Sequence, residues 1–397
     1  METESEKYVF EITSKSFLSL WSYPNPTGKK GKELCDILIV CGNDVIVISV
    51  KDITPTDSGS IKTDWNRWLD RAIDSSAKQI YGAERWLKGA THVIENDGTE
   101  SLPLPSLENR NIHRIAVAFG GGDEMPIKFG DFGKGFVHVW DKKAFDIILK
   151  ELDTITDFIE YLNSKEEHFL QGNKTIFIGH EEDYLAYYLV NNRSFPQEDA
   201  VIIIDEGIWE EFEKSPEYQL RKEEDEISYL WDSIIETYIQ GMKNDHAYVN
   251  PGLINAEPAL RVMALERRFG RRLLSKSLME FRELAKNKEV RSRSVFSPFS
   301  ETTYVFLPAF LDEDPQDRMA ELSARCWVMR DKIRQNPTVV GIATGDLKPG
   351  HPLELFYLYK LNWSDEDIEK AKEAREELGF FKNPDTKNYN EDEYPAT

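Results

Sequence analysis

The chain has 397 residues, which at a usual ~150 per domain predicts two or three domains. Its content, 40% hydrophobic and 12% aromatic, is enough to fill ordinary cores, so global disorder is excluded. With 49 Lys and Arg against 71 Asp and Glu, the net charge is −22, so a polyanion would have to be met by a local basic surface.

The opening METESEKYVFEITSKS has neither a basic n-region nor a long apolar stretch and reads as no signal peptide. There is no run of ~18 apolar residues to suggest a membrane span. Cys35, Cys41 and Cys326 form neither a disulfide framework nor a C-x-x-C pair. That usage points to a reducing cytoplasm and away from cysteine-ligated zinc.

Residues 1–22 predict a short helix carrying Glu11, then a strand in SFLSLWSY. The turn-rich PNPTGKKGK leads to ELCDILIVCGNDVIVISVKD, the strongest local signal: two β-rich runs flank Gly42-Asn43, a hairpin with a Gly-first tight turn. The spacing of Trp65, Trp68, Ala72, Ile80, Ala83 and Leu87 predicts a helix over 63–88. Residues 91–111 read as a polar loop. Strands IHRIAVAF and FVHVW, followed by one long amphipathic helix near 142–164, complete an α/β domain over residues 1–165.

Strand-like IFIG and VIIID lie among helices between 175 and 205. Residues 205–226 carry ten acidic and three basic side chains and read as a solvated face or linker. Helices are expected over 226–243 and 256–287, then strand TYVFLP, a helix near 315–335 opened by Asp314-Pro315, and strands PTVVGIAT and LELFYLYK. Ser364, Asp367 and Gly379 bracket a closing helix, and the tail EDEYPAT reads as frayed. The expected division is 1–165, a mainly helical 166–295 and a small α/β region over 296–397.

Pairing Cys41 with Asp44 across the hairpin turn places Asp36 opposite Ser49 on one face. Lys51 lies further along that face, while Val50 and Asp52 point the other way. A carboxylate there can hold a divalent cation, and a nearby ammonium can stabilise charge on a phosphate or help to deprotonate water. Taken singly, such residues are also common as solvated strand ends.

This arrangement resembles the PD-(D/E)XK nuclease superfamily over roughly residues 5–160. Asp36 opens a strand where the family has its metal-binding aspartate. Ser49-Val50-Lys51 stands thirteen residues later in place of (D/E)-X-K. Glu11 lies on the preceding helix, where many members carry a further acidic ligand. Gln79 lies on the helix after the third strand, where many place a glutamine beside the metal or the DNA. The element order also matches the family's restriction-endonuclease-like αβββαβ core. There are two departures: Ser49 replaces the acidic residue of the tripeptide, and Ala83 stands where some exonuclease-like members have the tyrosine of Gln-x-x-x-Tyr.

The resemblance implies a cytoplasmic, Mg²⁺- or Mn²⁺-dependent nuclease acting on DNA. Asp36 and Glu11 would hold the metal with help from Ser49, Lys51 would activate water or stabilise the transition state, and Gln79 would orient water or substrate. The region after 165 would then recognise substrate, signal or a partner protein, as in an antiviral defence effector, and such nucleases frequently work as homodimers. Ser49 leaves open a second function, a degenerate nuclease-fold subunit that binds nucleic acid or a protein without cutting.

Against the acidic average, residues 261–294 carry eleven basic and four acidic side chains. Arg267, Arg268, Arg271 and Arg272 recur at helical spacing, with Arg291 and Arg293 in a following loop. This is either a phosphate-binding stripe or a helix docked on the acidic 205–226 segment. Lys62 and Arg67 form a second candidate nucleic-acid contact, near Trp65 and Trp68, which read as core. Gly120-Gly121-Gly122 reads as a turn rather than a phosphate-binding loop.

Overall fold

The computed structural model describes residues 3–121, 128–170, 175–177, 179–196, 202–243, 253–287, 289–346, 351–381 and 391–395. The chain forms two compact units, Met1–Ser215 and Pro216–Thr397. The division falls at 215/216 rather than at 165 and 295, because the helices before residue 290 pack on the strands that follow them.

In the first unit, α1 (Glu4–Phe17) leads into β1 (Ser22–Pro24), β2 (Ile37–Cys41) and β3 (Asp44–Asp52). Next come α2 (Ile61–Trp68), a wide π turn over Leu69–Asp74, and α3 (Ser75–Leu87). A side hairpin of β4 (His92–Ile94) and β5 (Glu100–Pro103) occupies the stretch expected to be loop. It is followed by β6 (Asn111–Phe119), β7 (Gly130–Asp131), β8 (Phe136–Trp140), α4 (Lys142–Glu151) and α5 (Ile155–Leu170). The six-stranded sheet has the order β1-β2-β3-β6-β8-β7. Its first three strands form an antiparallel meander, β3, β6 and β8 are parallel, and β7 pairs antiparallel with β8. The unit closes with β9 (Thr175–Phe177), α6 (Glu181–Val190), β10 (Ile202–Ile204) and α7 (Ile208–Glu213), β9 and β10 forming a separate parallel pair.

Strand alternation sets the layers. Leu38, Val40, Val45 and Val47 share a core with Ala72, Ile73, Ala77 and Ile80 from the π turn and α3. Helices α1 and α4 pack on the sheet as well, and α1 contacts α4. Each buried aliphatic side chain contributes about 1.5–3 kcal/mol. A one-residue slip of β2 on β3 would turn the whole set to the wrong face, so the register is firmly specified. The helix expected near 142–164 is two helices. Leu152 leaves helical geometry, and Thr154 Oγ1 accepts the Asp157 N–H at 3.2 Å to start α5. The expected strand SFLSLWSY is mostly not strand: α1 runs to Phe17 and only Ser22 and Tyr23 of that run pair with β2.

The second unit begins with α8 (Pro216–Asp225), α9 (Tyr229–Lys243), α10 (Leu253–Ala264) and α11 (Arg268–Lys286). It continues through β11 (Arg293–Ser297), β12 (Thr302–Pro308), α12 (Pro315–Lys332), β13 (Thr338–Thr344), β14 (Leu353–Tyr359) and α13 (Asp365–Leu378). The sheet order is β11-β12-β13-β14. The central pair is parallel and linked through α12, and the outer pairs are antiparallel. The end signals read from the sequence hold: Asp314 caps α12, Ser364 and Asp367 form a capping box, and Gly379 ends α13 at φ 72°.

The arginine-rich stripe is an internal network rather than a phosphate-binding face. Arg268, Arg271 and Arg272 are 6%, 1% and 0% exposed. Arg268 and Arg271 both grip Asp232, and Arg272 lies 3.2 Å from Asp225 at the end of α8. This is the docked arrangement that the sequence left open. Arg267 sits over the Phe299 ring, and Arg291 binds Glu313 and Glu321. Arg293 lies in β11 rather than in a loop and bonds Ser277 and Glu280. The guanidiniums of Arg268, Arg271 and Arg272, buried against carboxylates and carbonyls, are not presented to a polyanion, whereas the Arg291 side chain stays 41% exposed. The first residues of the tail expected to fray are held in place: Arg272 donates to the carbonyls of Asp392 and Glu393, and Lys276 pairs with Glu391 at 2.7 Å. Among the described residues no helix is long and apolar enough to cross a membrane.

Removing the Arg271 charge would leave the buried Asp232 carboxylate under-compensated. Arg271→Met should therefore lower the unfolding free energy by about 3–5 kcal/mol, read from the denaturant midpoint. Asp225 gives a pH signature. Burial pushes its carboxyl up to about 6 against the pull of Arg221 and Arg272. Its folded value lies above its unfolded one, so the folded state holds the extra proton between about pH 4 and 6, and this group's contribution to stability falls as pH rises through that window. Asp225→Asn should lack that decline, a difference on the order of 1–3 kcal/mol in unfolding free energies compared across pH 4 to 7.

Candidate active site at the end of the central hairpin

The β2–β3 ladder pairs Cys41 with Asp44 and Ile37 with Ile48. One step beyond, Asp36 falls opposite Ser49, the register expected from the Gly42-Asn43 turn. Gly42 has φ +62°, a conformation that favours glycine. Asp36 is 3% exposed and Ser49 is fully buried, while the Lys51 side chain is 26% exposed. The Lys51 ammonium thus reaches solvent from a buried setting.

Asp36 Oδ2 accepts the Val50 N–H and lies 3.7 Å from Lys51 Nζ, and its Oδ1 accepts Gln79 Nε2 at 3.2 Å. Gln79 Oε1 accepts from Lys51 Nζ and from Ser49 Oγ, both at 3.0 Å. Ser49 Oγ is also 3.2 Å from Ser76 Oγ, which donates to the Ala72 carbonyl at 2.7 Å. These neighbours fix the Gln79 amide: its oxygen must face the ammonium and its NH₂ the carboxylate. Ser76 and Gln79 are three residues apart on α3 and so share the helix face that meets β3. Asp36, Ser49, Lys51 and Gln79 are therefore all brought together.

Glu11 is not part of this group. The buried side of α1 is formed by Ser5, Val9, Thr13, Ser16 and Phe17, whereas Glu11 is exposed. Among the described residues no hydrogen bond or ion pair joins its carboxylate to the hairpin. The second carboxyl beside the site is Glu33, an exposed residue whose charge interacts with that of Asp36. Its pKa rises to about 7, first through desolvation, then through the neighbouring Asp36 and Glu6 carboxylates. The only trace of Glu33 in the sequence is its place three residues before Asp36, in a stretch that reads as turn. Cys35 lies between them, but burial and then the two carboxylates push its thiol well up, so it is no thiolate nucleophile.

Lys62 and Arg67 are exposed on α2. Trp68, 2% exposed as expected of core, ties α2 to the end of β3 by donating to the Ile53 carbonyl at 2.9 Å, while Trp65 is half-buried. The two cations thus sit on a helix anchored at the same strand end as Lys51. Gly120 and Gly121 pack against Ile53 and Trp68 as a turn, and Gly122 lies outside the described residues.

Two neighbouring carboxyls are a fitting donor set for a hard divalent cation. Mg²⁺ commonly takes only one or two protein carboxylates, with water and substrate phosphate completing its shell. Among the described residues no group of three or more His, Cys, Asp and Glu side chains is placed to hold a metal. A cation here would therefore rest on Asp36 and Glu33. Ser49 contributes no charge, and its hydroxyl already faces Gln79 and Ser76. No family model, curated protein or solved structure matches this chain.

The Asp36 carboxylate also supports the local fold. Asp36→Leu would leave the Val50 N–H and the Gln79 amide without their acceptor and should cost about 1–3 kcal/mol, whereas Asp36→Asn, which keeps one oxygen, should cost less. Thermal melts of the two variants against the wild-type protein check the ranking.

Proposed function

We propose that the hairpin site belongs to a divalent-metal-dependent nuclease of the PD-(D/E)XK type, acting on DNA. The observation that carries this reading is the closed set of contacts among Asp36, Gln79 and Lys51, with the Glu33 carboxyl beside Asp36. Asp36 and Glu33 would hold Mg²⁺ or Mn²⁺. Bound there, the ion supplies Lewis-acid polarisation of a phosphoryl oxygen and a more acidic water.

Lys51 has three N–H donors. One meets Gln79 Oε1 and another points towards Asp36, leaving one for a phosphate oxygen as charge builds on it. Gln79 keeps the ammonium and the carboxylate in fixed relation. Lys62 and Arg67 would meet the backbone of the bound strand. A second reading, binding without cutting, is favoured by one observation: Ser49 is fully buried and turned towards Gln79 and Ser76, so the usual second carboxylate of β3 has no stand-in at its own position.

The test is cleavage of plasmid, linear duplex, single-stranded DNA and RNA with Mg²⁺, Mn²⁺ or EDTA. Wild-type protein should cut DNA only with metal, and Lys51→Ala should lower the rate by about 10²-fold or more. Absence of cutting alongside retained DNA binding would favour the second reading. A separate prediction concerns the metal: by calorimetry, Glu33→Gln should weaken Mg²⁺ or Mn²⁺ binding at least as much as Asp36→Asn, and Glu11→Gln should leave it unchanged. Metal binding that depends on Glu11 but not on Glu33 would sink the assignment of the two carboxyls.

A further inference from the structure

The second unit holds a cavity of about 340 Å³ at the carboxyl ends of the parallel strands β12 and β13, beside the last turns of α11. Ligands of open α/β sheets bind in the crevice beyond the carboxyl ends of parallel strands, and cavities from about 300 Å³ hold small organic molecules. The walls of this one are close-set backbone. Ala309 N–H donates to the Thr344 carbonyl at 3.1 Å and Gly345 N–H to the Pro352 carbonyl at 3.1 Å. A Cβ on Gly345 would lie 2.7 Å from the Ala309 carbonyl oxygen, so the two loops approach as closely as glycine allows.

Its chemistry is divided. Phe310, 39% exposed, supplies aromatic surface, and Leu311 stands 66% exposed at the lining. An apolar side chain of that size left so open gains from being covered. Arg282 also lines the cavity, with its side chain only 13% exposed. Among the described residues its guanidinium has two contacts, one to Asp346 Oδ1 at 3.3 Å and one to the Met279 sulfur at 3.7 Å. Five N–H donors held in a largely buried setting are thus met by one long carboxylate contact and one weak acceptor. Arg271, by contrast, meets Asp232 and the carbonyls of Glu266 and Ala264. Lys286 adds a second cation at the lining, while Asp312 and Asp346 offer acceptors for hydroxyl or amino groups.

We propose that this cavity binds a nucleoside monophosphate. Its flat ring would lie against Phe310, its phosphate would take the open donors of Arg282 with Lys286 beside it, and its sugar hydroxyls or base amino groups would donate to the carboxylates. The size of the cavity, the accessible Phe310 ring, the under-used guanidinium and the Asp312 carboxylate at the lining all match that one class. The assignment is independent of the hairpin site.

The test is calorimetric titration of the full-length protein with AMP, GMP, CMP and UMP, and with adenosine and inorganic phosphate as partial probes. At least one monophosphate should bind, with its nucleoside at least tenfold weaker and phosphate alone weaker still. Loss of a charge-assisted bond predicts a 10- to 100-fold weakening in Arg282→Gln. Leu311→Asp, at an exposed position that does not bear on folding, should also weaken binding. Lys51→Ala should leave it unchanged. No binding of any monophosphate up to millimolar concentration would overturn the proposal. So would binding that persists in both Arg282→Gln and Leu311→Asp, or binding that is lost in Lys51→Ala.

Discussion

A carboxylate that is 3% exposed must have its lone pairs met from within, and at Asp36 the partners come from two segments, β3 and α3. The Val50 N–H comes from the neighbouring strand, the Gln79 amide from α3 and the Lys51 ammonium from the end of β3. Two of these are consecutive residues of β3, and the third lies 28 positions after Lys51. Satisfying one buried charge therefore fixes the β2–β3 register, the rotation of α3 against the sheet and the rotamer of Lys51 together. The same geometry makes the site chemically specific, because an ammonium, an amide and a carboxylate held at bonding distance have little freedom to rearrange as substrate arrives. Ser49 fits this account as a packing residue. A carboxylate in its place would face the Gln79 oxygen, which is already committed to Lys51.

The hairpin was legible in the sequence because every signal there is local. The Gly42-Asn43 turn sets the pairing, period-2 alternation sets the faces, and from these Asp36, Ser49 and Lys51 must converge. Gln79 needed only a helical repeat in addition. Glu33 was not legible, because it lies in irregular backbone and no periodicity says where its side chain points. Glu11 failed for a related reason. A helix predicts its own faces well, but which face meets the sheet is decided by packing of Val9, Thr13 and Phe17, and those residues turn Glu11 to solvent. The break between α4 and α5 was missed because both helices are amphipathic and the Thr154 cap is a single residue in an otherwise unbroken pattern.

The arginine cluster shows the limit of reading charge along the chain. Net charge over a window says nothing of what faces it in space. Here the basic window of α11 meets the acidic end of α8 and the start of α9, so two opposite extremes of composition cancel inside one unit. The desolvation cost of such burial is offset only when each guanidinium finds several acceptors. Arg271 does so with Asp232 and the carbonyls of Glu266 and Ala264. In a chain of net charge −22 this takes three arginines out of the surface, while Lys62 and Arg67 stay exposed.

That accounting also separates the arginines by purpose. A buried guanidinium enclosed by acceptors is structural, since a ligand could reach it only by displacing bonds of equal strength. Arg282 has a single long carboxylate contact and a cavity in front of it, so an incoming anion there competes with little. A similar argument distinguishes Lys51 from the buried Lys165. Lys165 is fully enclosed and bonded to Glu181, whereas Lys51 keeps part of its surface open beside an incompletely shielded carboxylate. In both units the group with bonding capacity left over lies near the carboxyl end of a parallel strand pair, β3 with β6 and β12 with β13. A parallel pair needs a long crossover to return the chain, and the connecting segments must diverge as they leave the strand ends. Polar side chains at those ends therefore face an opening instead of a packed layer, and that opening is what leaves Lys51 and Arg282 free to act.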